Sequence, residues 1–339
     1  MSLHQSVLAG DRLALARLLT EIENDTPLGR NTLNSLFAHT GKAHLIGVTG
    51  APGTGKSSLV NQLALYYRKQ PNAGAPRRVA IVAVDPSSPF TGGAVLGDRI
   101  RMRELSGDAG VFIRSMATRG SLGGLAAATA GVVQALDAAG FEVIFIETVG
   151  SGQAEVEIAK LAHSTLVVDV PGLGDDVQAI KAGILEIADI LVLNKADRPG
   201  VETAERALLG MLKLGHPTKR LIHHGQLMED KVADVELAGL DEWVPPIRRT
   251  VATEGKGVPE LAEAIQGHKL HLEKTGNWQR RDRARLQTEL EDLLRSQLVA
   301  QWRGQVSEQA YQTVLDELLQ RKLSPRQAVD ALLNGRTAR

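Results

Sequence analysis

The residues with the clearest chemical content are Gly50-Ala51-Pro52-Gly53-Thr54-Gly55-Lys56-Ser57, which fit the spacing G-x-x-x-x-G-K-S/T. That spacing suits a nucleotide phosphate. Glycines let successive backbone N–H groups wrap an anion without Cβ clashes, and a helix starting at Lys56 points its positive end at the same charge. Lys56 can reach the β- and γ-phosphates, and the Ser57 hydroxyl can ligate Mg²⁺. Gly50, Gly53, Thr54, Gly55, Lys56, Ser57 and Ser58 are therefore the expected phosphate-binding residues. A second segment, Asn194-Lys195-Ala196-Asp197, can choose the base. The Asp197 carboxylate can accept from guanine N1–H and from the N2 amino group. Adenine offers a lone pair at N1 and no amino group, and each lost bond to a charged partner costs about 1.5–3 kcal/mol. The stem of Lys195 can lie along the base, and Asn194 can tie two loops together.

Other polar segments follow apolar runs. Glu147-Thr148-Val149-Gly150 fits a metal-side and γ-phosphate-sensing loop, with Glu147 holding Mg²⁺ directly or through water and the Gly150 N–H on the γ-phosphate. Asp85-Pro86-Ser87-Ser88, Gly92-Gly93 and Gly97-Asp98 read as a switch near the metal, with Asp85 and Asp98 as outer metal ligands, as groups orienting the attacking water, or simply as turn formers. Pro171–Lys181 is a further Gly/Asp loop, either a coupling element or an ordinary connection.

These segments need a scaffold. Short Val/Ile-rich runs occur at Leu45–Val48, Val79–Val84, Val111–Ile113, Val143–Ile146, Leu166–Val168 and Ile190–Leu193. They do not alternate with polar residues, as expected for strands covered on both faces of a parallel sheet. Ser57–Lys69, Gly124–Ala139, Glu155–Ala162 and Ala179–Ile187 have helical periodicity. The expectation is an α/β P-loop nucleoside-triphosphatase fold with a mostly parallel doubly wound sheet, whose ligands sit at the carboxyl ends of the strands. At the N-terminus, Asp11 should cap a helix with an apolar stripe Leu13, Ala16, Leu19 and Ile22, and a shorter helix around Thr32–His39 should close at Gly41. At the C-terminus, Leu286, Leu290, Leu293, Leu294, Leu298 and Trp302 share one helical face, Tyr311–Leu319 carries another stripe, and Ser324–Gln327 is a capping signal. The division expected is a helical extension at 1–42, a nucleotide domain at 43–268 and a helical arm at 269–339.

Composition narrows the function. The 339 residues carry 39 Lys+Arg and 39 Asp+Glu, so the basic excess typical of duplex-binding proteins is missing and no nucleic-acid partner is expected. Arg280–Arg285 is followed by acids and reads as a solvated helix face. Cysteine is absent, which removes disulfides, thiolate metal sites and cysteine nucleophiles. No apolar run reaches 18 residues and no leader pattern opens the chain, so a cytoplasmic protein without a membrane span is expected.

Together the motifs resemble the MeaB/ArgK family of GTPases, which includes the methylmalonic aciduria type A protein. VDPSS at 84–88, GDRIRM at 97–102, ETVGSGQAE at 147–155 and GDDVQAIKAGILEIADILVLNKADR at 174–198 carry the resemblance, which covers about 1–215 and 243–339. It implies a GTP/GDP- and Mg²⁺-dependent G domain with helical extensions, dimerising through the C-terminal arm. It also implies a chaperone that gates adenosylcobalamin loading and protects or reactivates a B12-dependent acyl-CoA mutase. Methylmalonyl-CoA mutase is the chief candidate, and an isobutyryl- or hydroxyisobutyryl-CoA mutase is the other. Carried onto this chain, Lys56 and Ser57 are the P-loop pair, and Asp85, Asp98 and Glu147 the acidic residues around Mg²⁺. Lys181 lies in an extra switch that orders against the mutase, and Asn194, Lys195 and Asp197 hold guanine. Two departures stand out. Val251-Ala252 replaces the usual Ser-Ala, leaving the Ala252 N–H for guanine O6, and residues 216–242 are longer than usual. The rival functions are a kinase or ATPase of amino-acid transport, which the NKAD segment opposes, and a metal-delivery GTPase, which the absence of cysteine opposes.

Overall fold

The run His44–Thr49 is buried along its whole length and forms strand β1, covered on both faces as its unbroken apolar character requires. In the computed structural model it is the middle strand of a seven-stranded sheet in the order β5-β4-β6-β1-β7-β8-β9. The structure describes residues 1–72, 75–86, 103–105, 107–118, 122–148, 153–172, 186–215 and 243–334. The other large-sheet strands are β4 (Val79–Pro86), β5 (Val111–Thr118), β6 (Val143–Thr148), β7 (Ser164–Asp169), β8 (Ile190–Asn194) and β9 (Ile247–Thr250). Each pairing between them is parallel. All six expected strands are present. The seventh, β9, has the sequence Ile-Arg-Arg-Thr and gave no apolar run because it lies at the sheet's edge. A two-residue hairpin, β2 (Pro71–Asn72) with β3 (Ala75–Pro76), stands apart.

The chain leaves β1 toward β4 and β5, returns to insert β6, then crosses β1 to β7 and β8. That reversal opens a crevice at the carboxyl end of β1, where such sheets bind ligands. Helix α4 (Lys56–Lys69) covers one face together with α8 (Val258–Thr275), through Leu59, Leu63, Leu261 and Ile265. Helices α5 (Leu122–Ala138) and α6 (Gln153–Leu161) cover the other face. Helix α7 (Val201–Gly215) packs on β8. Residues 179–185 of the helix expected at Ala179–Ile187 and the 216–242 segment fall outside the described residues, and Glu186-Ile187 lie in a turn.

Helices α1 (Leu3–Leu8), α2 (Arg12–Glu23) and α3 (Pro27–Leu36) precede the sheet. Asp11 caps α2 as expected, its carboxylate accepting from the Leu13 and Ala14 N–H groups. The apolar stripe is shifted: Leu15, Leu18, Leu19 and Ile22 are buried, while Leu13 is 82% exposed. The helix expected near Thr32 starts earlier, at Pro27 behind a Thr26 cap, and ends in a 3₁₀ turn at Phe37–His39. Helices α2 and α3 bury their faces against α5 and α1 packs on α2 and α3, so they extend the second layer of the sheet.

Met1–Arg285 forms one compact unit and Leu286–Arg339 another, the boundary falling within helix α9 (Asn277–Gln305). The second unit continues with α10 (Glu308–Leu319) and α11 (Pro325–Asn334). The expected cap forms reciprocally: the Ser324 N–H donates to Gln327 Oε1 at 2.9 Å and the Gln327 N–H to Ser324 Oγ at 3.3 Å. Val314 and Ala328 are buried in this unit, whereas Leu286, Leu290, Leu293, Leu294 and Leu298 are 39–66% exposed in the single chain.

Candidate nucleotide site

Two glycines fix the shape of the loop after β1. Gly50 has φ +136°, and a Cβ there would lie 2.2 Å from Val168 O. Gly55 has φ +90° as the cap of α4, and a Cβ would lie 2.6 Å from Asn194 Nδ2. Neither position tolerates a side chain. At the opposite end of β1, Asp137 on α5 fixes the entry to the strand, its carboxylate accepting from the N–H groups of Gly41 and Ala43 at 2.6 and 3.0 Å. Asp137 carried no motif; its only signal in the sequence was an acid in an otherwise apolar helix.

Lys56 is buried, and its ammonium donates to Gly50 O at 2.8 Å and Ala51 O at 3.0 Å, at the centre of the loop. Ser57 Oγ donates to Glu147 Oε1 at 2.6 Å, and both residues are buried. Thr148 Oγ1 donates to Thr49 Oγ1 at 3.2 Å, which levels the ends of β6 and β1. Thr54 closes the loop with its hydroxyl on Ala51 O at 2.9 Å, and Ser58 follows in the first turn of α4.

Asn194, at the end of β8, is 1% exposed and joins three loops. Its Nδ2 donates to Thr54 O at 2.8 Å, and its Oδ1 accepts from Thr250 Oγ1 at 3.0 Å and the Ala252 N–H at 3.1 Å. Thr250 was not singled out in the sequence, although it stands directly before the Val251-Ala252 pair. The Ala252 N–H, expected at guanine O6, is directed at Asn194 in this structure. Lys195 has φ +54° and donates to Gly53 O at 2.7 Å, so its stem spans from the end of β8 to the P-loop. Asp197 is exposed at the rim. The P-loop, the NKAD segment and the loop after β9 thus converge at one end of the sheet.

Asp85 lies at the carboxyl end of β4, in register with Ala117. Asp98, Gly150 and Lys181 fall outside the described residues. Among the described residues no group of three or more His, Cys, Asp or Glu could hold a metal, and no helix is long and apolar enough to cross a membrane.

A parallel doubly wound sheet, a glycine-shaped loop leading into a helix with Lys-Ser, and a buried Asn tying that loop to an NKxD segment define the class of P-loop GTPases. Within that class, residues 15–307 match the family described as "Methylmalonyl Co-A mutase-associated GTPase MeaB", and the chain belongs to this family. GTPase ArgK of Escherichia coli is 32% identical over 80% of this chain and 76% of its own length. The mitochondrial methylmalonic aciduria type A homolog of Caenorhabditis elegans is 29% identical over 82% of this chain and 68% of its own. A solved structure described as a LAO/AO transport system kinase superposes with a TM-score of 0.67 at 24% identity, covering 98% of this chain and 95% of that one. The chain is a GTPase and binds guanine nucleotide.

Proposed function

We propose that this GTPase is a chaperone for an adenosylcobalamin-dependent acyl-CoA mutase, methylmalonyl-CoA mutase before others, gating cofactor loading and protecting or reactivating the enzyme. The family description names association with that mutase. On this reading Lys56 exchanges its bonds to Gly50 O and Ala51 O for β- and γ-phosphate oxygens, and the N–H groups of Gly53–Ser58 surround the phosphates. Asp197 takes guanine N1–H and N2, and Lys195 lies along the base. The Ala252 N–H reaches O6 by sharing or leaving its bond to Asn194.

Ser57 Oγ and the Glu147 carboxylate fit Mg²⁺, since both are hard oxygen donors, buried and within 2.6 Å of each other at the start of α4. Bound there, the ion would neutralise charge on the β- and γ-phosphate oxygens. Asp85 and Asp98 are assigned to the same acidic ring, Gly150 to γ-phosphate sensing and Lys181 to the mutase-facing switch. The apolar face of α9 from Leu286 to Leu298 is the dimerising surface on this reading, and the protein acts in the cytoplasm.

The observation that carries the guanine assignment is the Asn194 bridge from Thr54 O to Ala252 N–H, which sets base and phosphate loops in one frame. The test is GTP turnover by the full chain with and without a cobalamin-dependent acyl-CoA mutase. Stimulated turnover and a nucleotide-dependent complex are expected. Unchanged turnover with no complex across methylmalonyl-, isobutyryl- and hydroxyisobutyryl-CoA mutases would overturn the chaperone role. A parallel titration showing ATP binding tighter than GTP would favour the transport-kinase alternative.

A further inference from the structure

At the ends of β1, β7 and β8 opposite the nucleotide loops lie His44, His163-Ser164 and Asp189. Parallel pairing sets them side by side, and α8 adds His268. All five residues are at most 7% exposed. His44 Nε2 and His268 Nδ1 each lie 2.8 Å from Ser164 Oγ, and His268 Nε2 lies 3.3 Å from Asp189 Oδ1.

A serine hydroxyl carries one proton and two lone pairs, so Ser164 can donate to one imidazole while accepting from the other. With a single proton on the His268 ring, on Nε2 facing Asp189, Nδ1 is the acceptor. The chain then runs from His44 Nε2–H to Ser164 Oγ–H to His268 Nδ1. His163 is fixed independently: its Nδ1 accepts the Leu45 N–H at 3.1 Å, so Nε2 carries the proton and donates to Asp282 Oδ1 at 3.0 Å. His163 is therefore neutral in this wiring, its Nδ1 lone pair being taken by the Leu45 N–H. A second proton on His163 would face the Leu45 N–H.

The same groups hold the start of α9. Trp278 stacks on His163 with centroids 3.8 Å apart. Arg281 binds both Asp189 oxygens, at 2.7 and 2.8 Å, and reaches His163 O at 2.7 Å. Arg285 binds Asp282 Oδ1 at 2.7 Å.

We infer that this cluster is a proton-sensitive lock on the root of α9: Asn277–Arg285 stays docked on the strand ends while His44 and His163 are neutral, and is released when they take up protons. The surroundings support it. Burial holds His44 well below the usual imidazole range, and His163, Lys269 and His268 push the same way, with only Asp189 opposing. Burial also lowers His163, against Asp282 and alongside Arg285 and Arg281. Burial works to raise Asp189, but bonds from Arg281 and His268 outweigh it and hold the carboxyl at about 2, ionised throughout the window concerned. A histidine with a depressed pKa binds more protons once released. Docking is therefore complete above about pH 6.5 and weakens as pH falls from there toward the lowered values.

Hydrogen–deuterium exchange on the full chain with GDP, corrected for intrinsic rates, tests this at pH 7.5 and 5.5. Protection of Asn277–Arg285 is expected to fall at least tenfold while helix α4 changes less than twofold. Unchanged protection would overturn the lock, and so would an equal loss in α4, which would mean global unfolding. His163→Gln keeps a donor for Asp282 and an acceptor for Leu45 but cannot titrate, so the pH step is expected to shrink at least threefold. An undiminished step in that variant would also overturn it, and should the variant fail to fold, the wild-type comparison decides alone.

Discussion

At its carboxyl end β1 runs into a loop of main-chain amides and carbonyls shaped by Gly50, Gly53 and Gly55. At its amino end it starts at His44, among imidazoles, carboxylates and a guanidinium. Both ends are buried and polar, but their materials differ. The carboxyl end holds the Lys56 ammonium on two carbonyl oxygens, partners that a phosphate oxygen can replace with a stronger, charge-assisted bond. The amino end pairs charged side chains with each other, and Asp189 accepts from Arg281 and from the Thr165 N–H while facing His268. Groups meant to exchange partners are set against neutral backbone, and groups meant to stay are set against complementary charge.

Substitutions at the two ends should therefore fail in different ways. The largest effect is expected at the exchanging end: Lys56→Ala should lower steady-state GTP turnover about 10²–10³-fold, with denaturation midpoints little changed. Normal turnover would remove Lys56 from the phosphate site. At the fixed end, Arg281→Leu strips a bidentate partner from buried Asp189 and should destabilise the fold by about 3 kcal/mol in chemical denaturation. GTP affinity of the folded protein should be unchanged, and an equal loss of affinity would dissolve the contrast. Asp197→Asn should cost about 1.5–3 kcal/mol of GTP affinity by calorimetry and improve xanthosine triphosphate, whose C2 oxygen pairs with an amide. No gain for the xanthine nucleotide would count against guanine recognition by this carboxylate. Val251→Ser should be smallest, under about 1 kcal/mol in GTP affinity, because Thr250 Oγ1 and the Ala252 N–H already satisfy Asn194 Oδ1. A larger gain would show that the side chain missing at this position reaches the base.

The sequence was most legible where one short stretch carries a whole function. Gly50–Ser57 and Asn194–Asp197 are contiguous, and the buried strands before them announce themselves by Val and Ile. Strand β9 was invisible because Arg248 and Arg249 break any apolar run. The α2 stripe was misplaced by one turn direction: strict three-residue steps from Leu13 drift off the face that Leu15, Leu18, Leu19 and Ile22 share. The Arg280–Arg285 run read as a solvated face, yet Arg281 and Asp282 turn inward to Asp189 and His163, and Arg285 braces Asp282. The partners of Arg281 and Asp282 lie about ninety to one hundred and twenty residues away and each is a single polar residue at the start of a strand, a signal that acquires meaning only once parallel pairing aligns the strand starts.

Asn194 has a thermodynamic consequence. One buried amide holds Thr54 of the phosphate loop and Ala252 of the base-side loop, so neither loop can settle without constraining the other. Ordering that either half of a nucleotide imposes is then already in place for the other half. Guanosine and inorganic pyrophosphate, bound separately, should each bear that ordering cost in full, and the intact nucleotide should bind more tightly than linking two independent fragments would explain.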